Sequence, residues 1–104
     1  MLAISRGLAE LTKGTDVTVN SVLPGPTHSK GIEVSLKQMS TISNATPAEA
    51  EQEFFEKSRP SSLLQRLIKG SEIADLVTLL VSPLSAAING VAVQAEGGLV
   101  RSIL

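Results

Sequence analysis

The chain opens with apolar residues at the spacing of a helix. Residues 1–13 are predicted to be helical, because three apolar side chains recur on one stripe, Ile4, Leu8 and Leu11. Gly14 follows as a suitable residue to end that helix. No Ser, Thr, Asp or Asn precedes the periodic residues as an N-cap, so we expect the true start of this helix to lie upstream.

The next apolar run is β-branched rather than helical in spacing. Residues 17–23 predict a strand that is at least half-buried. Pro24 must end it, because proline cannot donate to a sheet ladder. Gly25 then allows other backbone, or a ligand, to approach closely. A strand that ends in Pro-Gly before small hydroxyl residues is typical of the ligand edge of an open α/β sheet.

The rest of the chain predicts two clear helices and one more strand. Residues 29–43 are interpreted as a loop with one or two helical turns. Thr46 is a good N-cap for a helix over residues 47–57. Residues 72–81 form a helix that is apolar nearly all round, so we expect it to be buried on more than one side. Residues 91–95 predict a second strand, parallel to the first.

Composition narrows the class of protein. The 104 residues predict a single domain over residues 1–104, and 42% apolar with 18% charged residues is globular composition. A net charge of −1 argues against nucleic acid as a partner. The absence of cysteine excludes disulfides and cysteine-based zinc sites. The apolar runs are too short to span a bilayer and no signal-peptide pattern opens the chain, so we expect no membrane partner and a cytoplasmic location.

Three sequence blocks together resemble the C-terminal portion of the short-chain dehydrogenase/reductase family. Residues 16–29, Asp-Val-Thr-Val-Asn-Ser-Val-Leu-Pro-Gly-Pro-Thr-His-Ser, are similar to the sixth strand and the Pro-Gly cofactor loop of that family. Residues 80–98 are similar to the end of its last helix, the Asn-Gly turn, the final strand and the Gly-Gly turn, with Glu96 in place of the usual Asp. Arg66 and Glu72 lie between them at matching positions.

The resemblance implies a fold and a function. The fold class is α/β, a Rossmann-type fragment with the last two parallel strands and about three main helices. The implied function is that of a C-terminal segment of an NAD(P)-dependent oxidoreductase, which transfers hydride between the nicotinamide cofactor and a carbonyl or alcohol substrate. The alternative is a non-catalytic oligomerisation or binding remnant.

The same resemblance implies a truncated enzyme. The family's catalytic Tyr-x-x-x-Lys would fall immediately before Met1, its nucleotide-binding half lies further upstream, and the chain contains no tyrosine. We therefore expect no catalytic residue, no NAD or NADP bound by this chain alone, and a small-molecule substrate only if the upstream half is present.

Four residues are implied as cofactor-binding by the resemblance, namely Pro24, Gly25, Thr27 and Ser29. Backbone near Thr27 would bond the nicotinamide carboxamide, and the Ser29 hydroxyl would face the carboxamide or a phosphate. On the residues alone, an ordinary strand-to-loop turn is the alternative. Residues 29–62 resemble the family's insertion that closes over substrate, and the alternative there is a variable surface segment.

The other polar residues are assigned structural roles. His28 is the only histidine, so it cannot build a metal site and is expected to be solvated or simply hydrogen-bonded. The glutamates of the helix over residues 47–57 are expected to form a solvated face, Glu49, Glu51, Glu53 and Glu56. Asn20 lies within a strand and needs a hydrogen-bond partner, and the resemblance implies a structural role for it.

Self-association is the expected partnership, as a homo-oligomer. The helix over residues 72–81 has more apolar surface than two short strands can cover. The missing upstream strands implied by the resemblance would leave one edge of the strand over residues 17–23 unpaired. In the family, the final strand with its preceding helix, and the helix that residues 1–13 represent, form subunit contacts.

Overall fold

A computed structural model describes residues 2–103, and Met1 and Leu104, at the ends of the predicted first helix and C-terminal tail, lie outside the described residues. The fold is α/β, as the sequence predicts. In chain order the main elements are α1 (Leu2–Glu10), β1 (Ser21–Pro24), α2 (Lys30–Ser43), α3 (Pro47–Ser58), α4 (Gly70–Leu80) and β2 (Ala92–Ala95).

The contacts divide the chain into two compact units. Unit 1 runs to Pro24 and resumes over Ser71–Ala95, so it holds α1, β1, β2 and nearly all of α4. Unit 2 comprises Gly25–Gly70 and the residues from Glu96 onward, and it holds α2 and α3. The single domain over residues 1–104 stays a prediction.

The sheet of unit 1 is a parallel pair. β1 and β2 lie in a register that places Ser21 opposite Ala92 and Pro24 opposite Ala95. The first strand ends at Pro24, as predicted, because proline has no N–H to continue the ladder. The order of strand, helix and parallel strand is confirmed.

The first strand is shorter at its amino end than the sequence predicts. Residues 17–20 lie outside β1, and Val17 is 60% exposed. The backbone N of Val19 donates to Oδ1 of Asn89 at 2.9 Å, so a side chain occupies the place of a strand carbonyl. Regular strand pairing therefore begins at Ser21.

The two helices of unit 1 bury little. α1 buries Ala9 and leaves Ile4 and Leu8 at least half exposed, and Leu11, in the turn just after the helix, is 80% exposed. The expectation that the helix over residues 72–81 is buried on more than one side is wrong, because no residue of α4 is buried. Its half-buried residues, Ile73, Leu76 and Leu80, recur at helical spacing on one stripe, while Val77 and Leu79 are each 42% exposed.

Unit 2 contains a helix that the sequence analysis missed. The interpretation of residues 29–43 as a loop with one or two helical turns is wrong, since α2 runs over Lys30–Ser43. Both of its ends are capped. Ser29 accepts a hydrogen bond from the N–H of Ile32, and Asn44 adopts a left-handed conformation with its N–H bonded to Ser40 O.

The core of unit 2 lies where α2 meets α3. The predicted start of α3 is confirmed, because Thr46 Oγ1 accepts from Glu49 N at 3.2 Å and Pro47 is the first helical residue. The buried core is formed by Leu36, Ala50, Phe55 and Leu67. Phe54 and Phe55 meet edge to face with ring centroids 5.1 Å apart, which is a favourable aromatic arrangement.

Candidate cofactor-binding loop

The loop begins with a close backbone contact at Gly25. A Cβ on Gly25 would lie 2.8 Å from the Cα and 3.1 Å from the carbonyl oxygen of Glu96. Only glycine fits at that distance, so the predicted need for close approach is confirmed, and the nearest approaching atom belongs to the backbone. Pro24 lies just before it, as the last and exposed residue of β1 in unit 1.

Thr27 is held in an extended conformation by a short parallel bridge to Ile68. Ile68 N donates to Pro26 O, and His28 N donates to Ile68 O, each at 2.9 Å. The Thr27 hydroxyl donates to Gly25 O at 2.8 Å, which closes the turn between them. These bonds fix the loop of unit 2 without using the peptide groups of Thr27 itself.

The peptide groups of Thr27 are therefore free to bind something else. In a parallel bridge the residue between the two bonded neighbours directs its own N–H and C=O to the opposite side. Among residues 2–103, neither the N–H nor the C=O of Thr27 has a hydrogen-bond partner. One donor and one acceptor thus face away from Ile68, a pair that a primary carboxamide can match.

Ser29 has a structural role that the sequence analysis did not predict. Its hydroxyl oxygen is 3.2 Å from Ile32 N and caps α2 as an acceptor, and its side chain is exposed. A capping hydroxyl still has its own hydrogen to donate. His28 is also exposed and takes part in the bridge through its backbone N, as expected of a simply hydrogen-bonded residue.

Glu51 supports this loop, and the sequence analysis placed it on the solvated face of α3. Its Oε1 accepts from Leu67 N at 2.8 Å, and it is partly buried. The expectation of a solvated side chain is therefore wrong for Glu51. The signal was present in the helical spacing, because residues 50, 51, 54 and 55 fall on one face of α3 and include the buried Ala50 and Phe55.

The other glutamates of α3 are near the surface or exposed. Glu56 accepts from Gln52, and Glu53 is bonded to Lys57 one turn on. The pKa of Lys57 is raised, first because Glu53 accepts a hydrogen bond from its ammonium group and second through the charge of that carboxylate. Solvent reaches both partners, whose side chains are 73% exposed for Lys57 and 41% for Glu53, so this pair contributes little to the stability of unit 2.

The Gly-Gly turn after β2 is fixed within unit 2. Gly97 O accepts from Leu63 N at 2.9 Å and from Leu64 N at 3.0 Å. Gly97 and Gly98 have φ of +68° and +77°, and a Cβ on either would come within 2.7 Å of a leucine side chain. The carboxylate of Glu96 accepts from Val100 N at 2.7 Å, so the longer side chain in place of Asp caps this turn.

Asn20 has the structural role that the sequence analysis assigned to it. Its Nδ2 donates to Ile88 O at 3.1 Å, and its Oδ1 accepts from Val91 N at 3.2 Å. One side chain thus joins both ends of the turn that leads into β2. This satisfies the polar group within the strand region of unit 1.

A small apolar cavity lies between α2 and α3. It has a volume of about 220 Å³ and is lined mainly by Ile32, Leu36, Met39, Phe54 and Leu67. The predicted substrate-loop insertion, residues 29–62, supplies all but one of these residues. Its role in covering a substrate stays a prediction.

Residues 2–103 lack two further features. No group of three or more His, Cys, Asp or Glu residues in this part of the chain is arranged to hold a metal ion. None of the helices there combines the length and apolar character needed to cross a membrane.

Comparison with known proteins agrees with this architecture. Residues 1–100 match the family model described as enoyl-(acyl carrier protein) reductase. The chain is 55% identical over 102 residues to the uncharacterized oxidoreductase YvaG of Bacillus subtilis (strain 168), a match that covers 98% of this chain and 39% of that protein. The chain therefore spans about two fifths of the length of this relative.

Solved structures share the fold. L-sorbose reductase from Gluconobacter frateurii, in complex with NADPH and L-sorbose, superimposes with a TM-score of 0.83 at 18% identity, covering 98% of this chain and 38% of that one. An NADPH-bound short-chain oxidoreductase from Pseudomonas aeruginosa with an atypical catalytic center superimposes with a TM-score of 0.77 at 26% identity. That match covers 97% of this chain and 36% of the other. The chain belongs to the short-chain dehydrogenase/reductase family of oxidoreductases.

Proposed function

We propose that this chain supplies the loop that holds the nicotinamide end of NAD(P)(H) in a short-chain oxidoreductase. The observation that carries the proposal is the free peptide N–H and C=O of Thr27 among residues 2–103. The nicotinamide carboxamide offers one acceptor oxygen and two donor hydrogens, so it can pair with both groups. Two such bonds fix the rotation and position of the ring as well as adding affinity.

The neighbouring residues shape and fix this binding edge. Pro24 ends the strand, and Gly25 keeps the loop in contact with Glu96. Ser29 has a hydroxyl hydrogen that remains available for a carboxamide or phosphate oxygen while its oxygen caps α2. When bound, the reduced cofactor would donate hydride to a carbonyl substrate, and the oxidised cofactor would accept hydride from an alcohol substrate.

The proton-transfer step is proposed to belong to residues outside this chain. The 104 residues contain no tyrosine, and Thr27 offers only a backbone pair for binding. NADPH in the structures of two relatives supports NADP(H) as the first cofactor to test. We propose that the chain contributes cofactor contacts and the covering helices α2 and α3, and is inactive alone.

A chimera tests this function. Residues 1–104 replace the matching 39% of the Bacillus subtilis relative YvaG, to which they are 55% identical. We expect the chimera to bind NADPH or NADH with an affinity within about tenfold of the unmodified relative, since the proposed loop provides equivalent contacts. A folded chimera that binds neither cofactor, beside a relative that binds one, would contradict the proposal.

We further propose that the chain forms a homo-oligomer through α1. Ile4 and Leu8 of α1 are 65% and 50% exposed, Leu11 in the turn after it is 80% exposed, and the three recur at the spacing of one helical stripe. A contiguous apolar stripe on a surface helix is stabilised by burial against another apolar surface, and a second copy offers the same one. This observation also favours the alternative function, that of a non-catalytic oligomerisation segment.

A further inference from the structure

We propose that Asn89–Gly90 is a site of spontaneous deamidation, and that the fold of unit 1 suppresses the reaction while the hydrogen bonds of these two residues are formed. The chain has three asparagines, Asn20, Asn44 and Asn89, and only Asn89 is followed by glycine. Asn89 is exposed to solvent. The inference does not rest on the proposed function.

The chemistry needs only this pair and water. The backbone nitrogen of Gly90, after loss of its proton, attacks Cγ of Asn89. A bond forms between that nitrogen and Cγ, the bond from Cγ to Nδ2 breaks, and the nitrogen leaves as ammonia after gaining a proton. Water then opens the cyclic imide to aspartate or isoaspartate. Glycine favours the attack because it has no Cβ to hinder the approach.

In the folded chain, the backbone nitrogen of Gly90 and both polar atoms of the Asn89 side chain are hydrogen-bonded. Gly90 N donates to Val19 O at 2.9 Å, so the attacking nitrogen is directed at the segment just before β1. Asn89 Oδ1 accepts from Val19 N at 2.9 Å. Asn89 Nδ2 donates to Thr12 Oγ1 at 2.9 Å, and that hydroxyl donates in turn to Ala9 O. Attack requires the side chain to rotate and the nitrogen to leave its bond, so all three bonds must open.

The same contacts explain why unit 1 retains such a reactive pair. Gly90 has φ of +72°, and a Cβ there would lie 3.1 Å from Arg6 Nη1 and 3.4 Å from Ala9 Cβ. Asn89 must offer an acceptor to Val19 and a donor to Thr12 at once. An aspartate at position 89 keeps only the acceptor when ionised.

The product would loosen the amino edge of the sheet. Aspartate loses the bond to Thr12 and adds a carboxylate to a cavity that Asp16 already lines. Isoaspartate also lengthens the backbone by one methylene, which displaces Gly90 N from Val19 O. Local opening therefore promotes modification, and modification promotes further opening. The extent of deamidation at Asn89 would then increase with the time that this part of unit 1 has spent open.

Peptide mass spectrometry of the intact 104-residue chain tests the proposal. Trypsin separates the three asparagines, because Asn20, Asn44 and Asn89 fall in the peptides 14–30, 38–57 and 70–101. The chain is incubated at mildly alkaline pH in native buffer and in concentrated urea, and conversion of amide to acid is followed in each peptide. Circular dichroism checks that the native sample is folded.

We expect Asn89 to react fastest of the three in urea, and at least roughly tenfold more slowly in native buffer, because opening two side-chain bonds and one backbone bond is required. Thr12→Val keeps the shape of the side chain and removes the acceptor for Nδ2, so it should raise the native rate several-fold. Equal deamidation rates of Asn89 in native buffer and in urea would contradict the claim that the fold suppresses the reaction. A deamidation rate of Asn89 in urea no higher than that of Asn20 or Asn44 would contradict the assignment of Asn89 as the reactive site. The comparison of native buffer with urea stands even if Thr12→Val does not fold.

Discussion

The carboxylate of Glu51 accepts a hydrogen bond from the backbone amide of Leu67, with 2.8 Å between Oε1 and N. Leu67 is 2% exposed and belongs to the core of unit 2. The next residue, Ile68, forms the bridge that holds Thr27 extended. A side chain of α3 therefore fixes the segment that supports the candidate cofactor loop. The position of this loop depends in this way on the packing of α2 and α3.

Removing that carboxylate should destabilise unit 2. Glu51→Ala leaves the amide of Leu67 buried without a partner, which costs about 1–3 kcal/mol of unfolding free energy. Glu51→Gln retains a carbonyl oxygen in the same place and should lose less. Glu56→Ala, at an exposed position of the same helix, is the control and should stay within about 0.5 kcal/mol. Urea unfolding measures all three, and equal losses for Glu51→Ala and Glu56→Ala would contradict the role of Glu51.

A methyl group at Gly25 should be poorly tolerated. The Cβ of Gly25→Ala would meet the backbone of Glu96 at 2.8 Å, and backbone cannot move aside as a flexible side chain can. We expect a loss of about 1–3 kcal/mol. Gly7→Ala is the matched control, because nothing lies within 4 Å of its Cβ position in α1. That change should stabilise by about 0.5–1 kcal/mol, and thermal unfolding that ranks the two variants in the opposite order would refute the close-contact argument.

The sequence predicts this fold well wherever local signals are strong. Pro24 ends β1, Thr46 and Pro47 start α3, and the parallel pairing of two short strands follows from their order. Backbone chemistry decides each of these points locally. These features therefore follow from local sequence alone.

The errors have physical reasons of a different kind. α2 was missed because its periodic apolar residues, Ile32, Leu36 and Met39, stand among many polar ones, and because the caps at Ser29 and Asn44 were not recognised as its ends. α4 was expected to be buried because its composition is apolar. Composition gives the apolar surface that is available, but the number of neighbouring elements decides how much of that surface is buried. The bridge between Thr27 and Ile68 joins residues 41 positions apart, and no local pattern encodes it.

The apolar stripe on α1 predicts concentration-dependent association. Light scattering at high micromolar concentration should show a species heavier than the 10.9 kDa chain. Leu8→Glu places a charge within the stripe and should shift the chain toward the monomer. Ile42→Glu is the control, because Ile42 is 87% exposed on α2, outside the stripe. A monodisperse 10.9 kDa species for the unmodified chain would rule out the homo-oligomer.

The chain alone should not bind a nicotinamide dinucleotide measurably. The proposed loop gives only a backbone pair at Thr27 and a hydroxyl at Ser29, too few contacts to offset the lost freedom of a large flexible ligand. Calorimetric titration with NAD(H) and with NADP(H) checks this. Micromolar binding of either cofactor by the 104-residue chain would show that its own residues form a complete site.

The most direct test of the cofactor loop is the dissociation constant for NADPH or NADH of the chimera with YvaG, before and after substitution of Ser29. Ser29→Ala should weaken binding by about 1 kcal/mol, the value of one lost neutral hydrogen bond. Ser29→Gly also removes the hydroxyl but costs the helix cap only a few tenths of a kcal/mol, so it should weaken cofactor binding as Ser29→Ala does while stability stays nearly unchanged. His28→Ala should have a smaller effect than either. Binding that is unchanged in both Ser29 variants and abolished in His28→Ala would contradict the assignment of this loop.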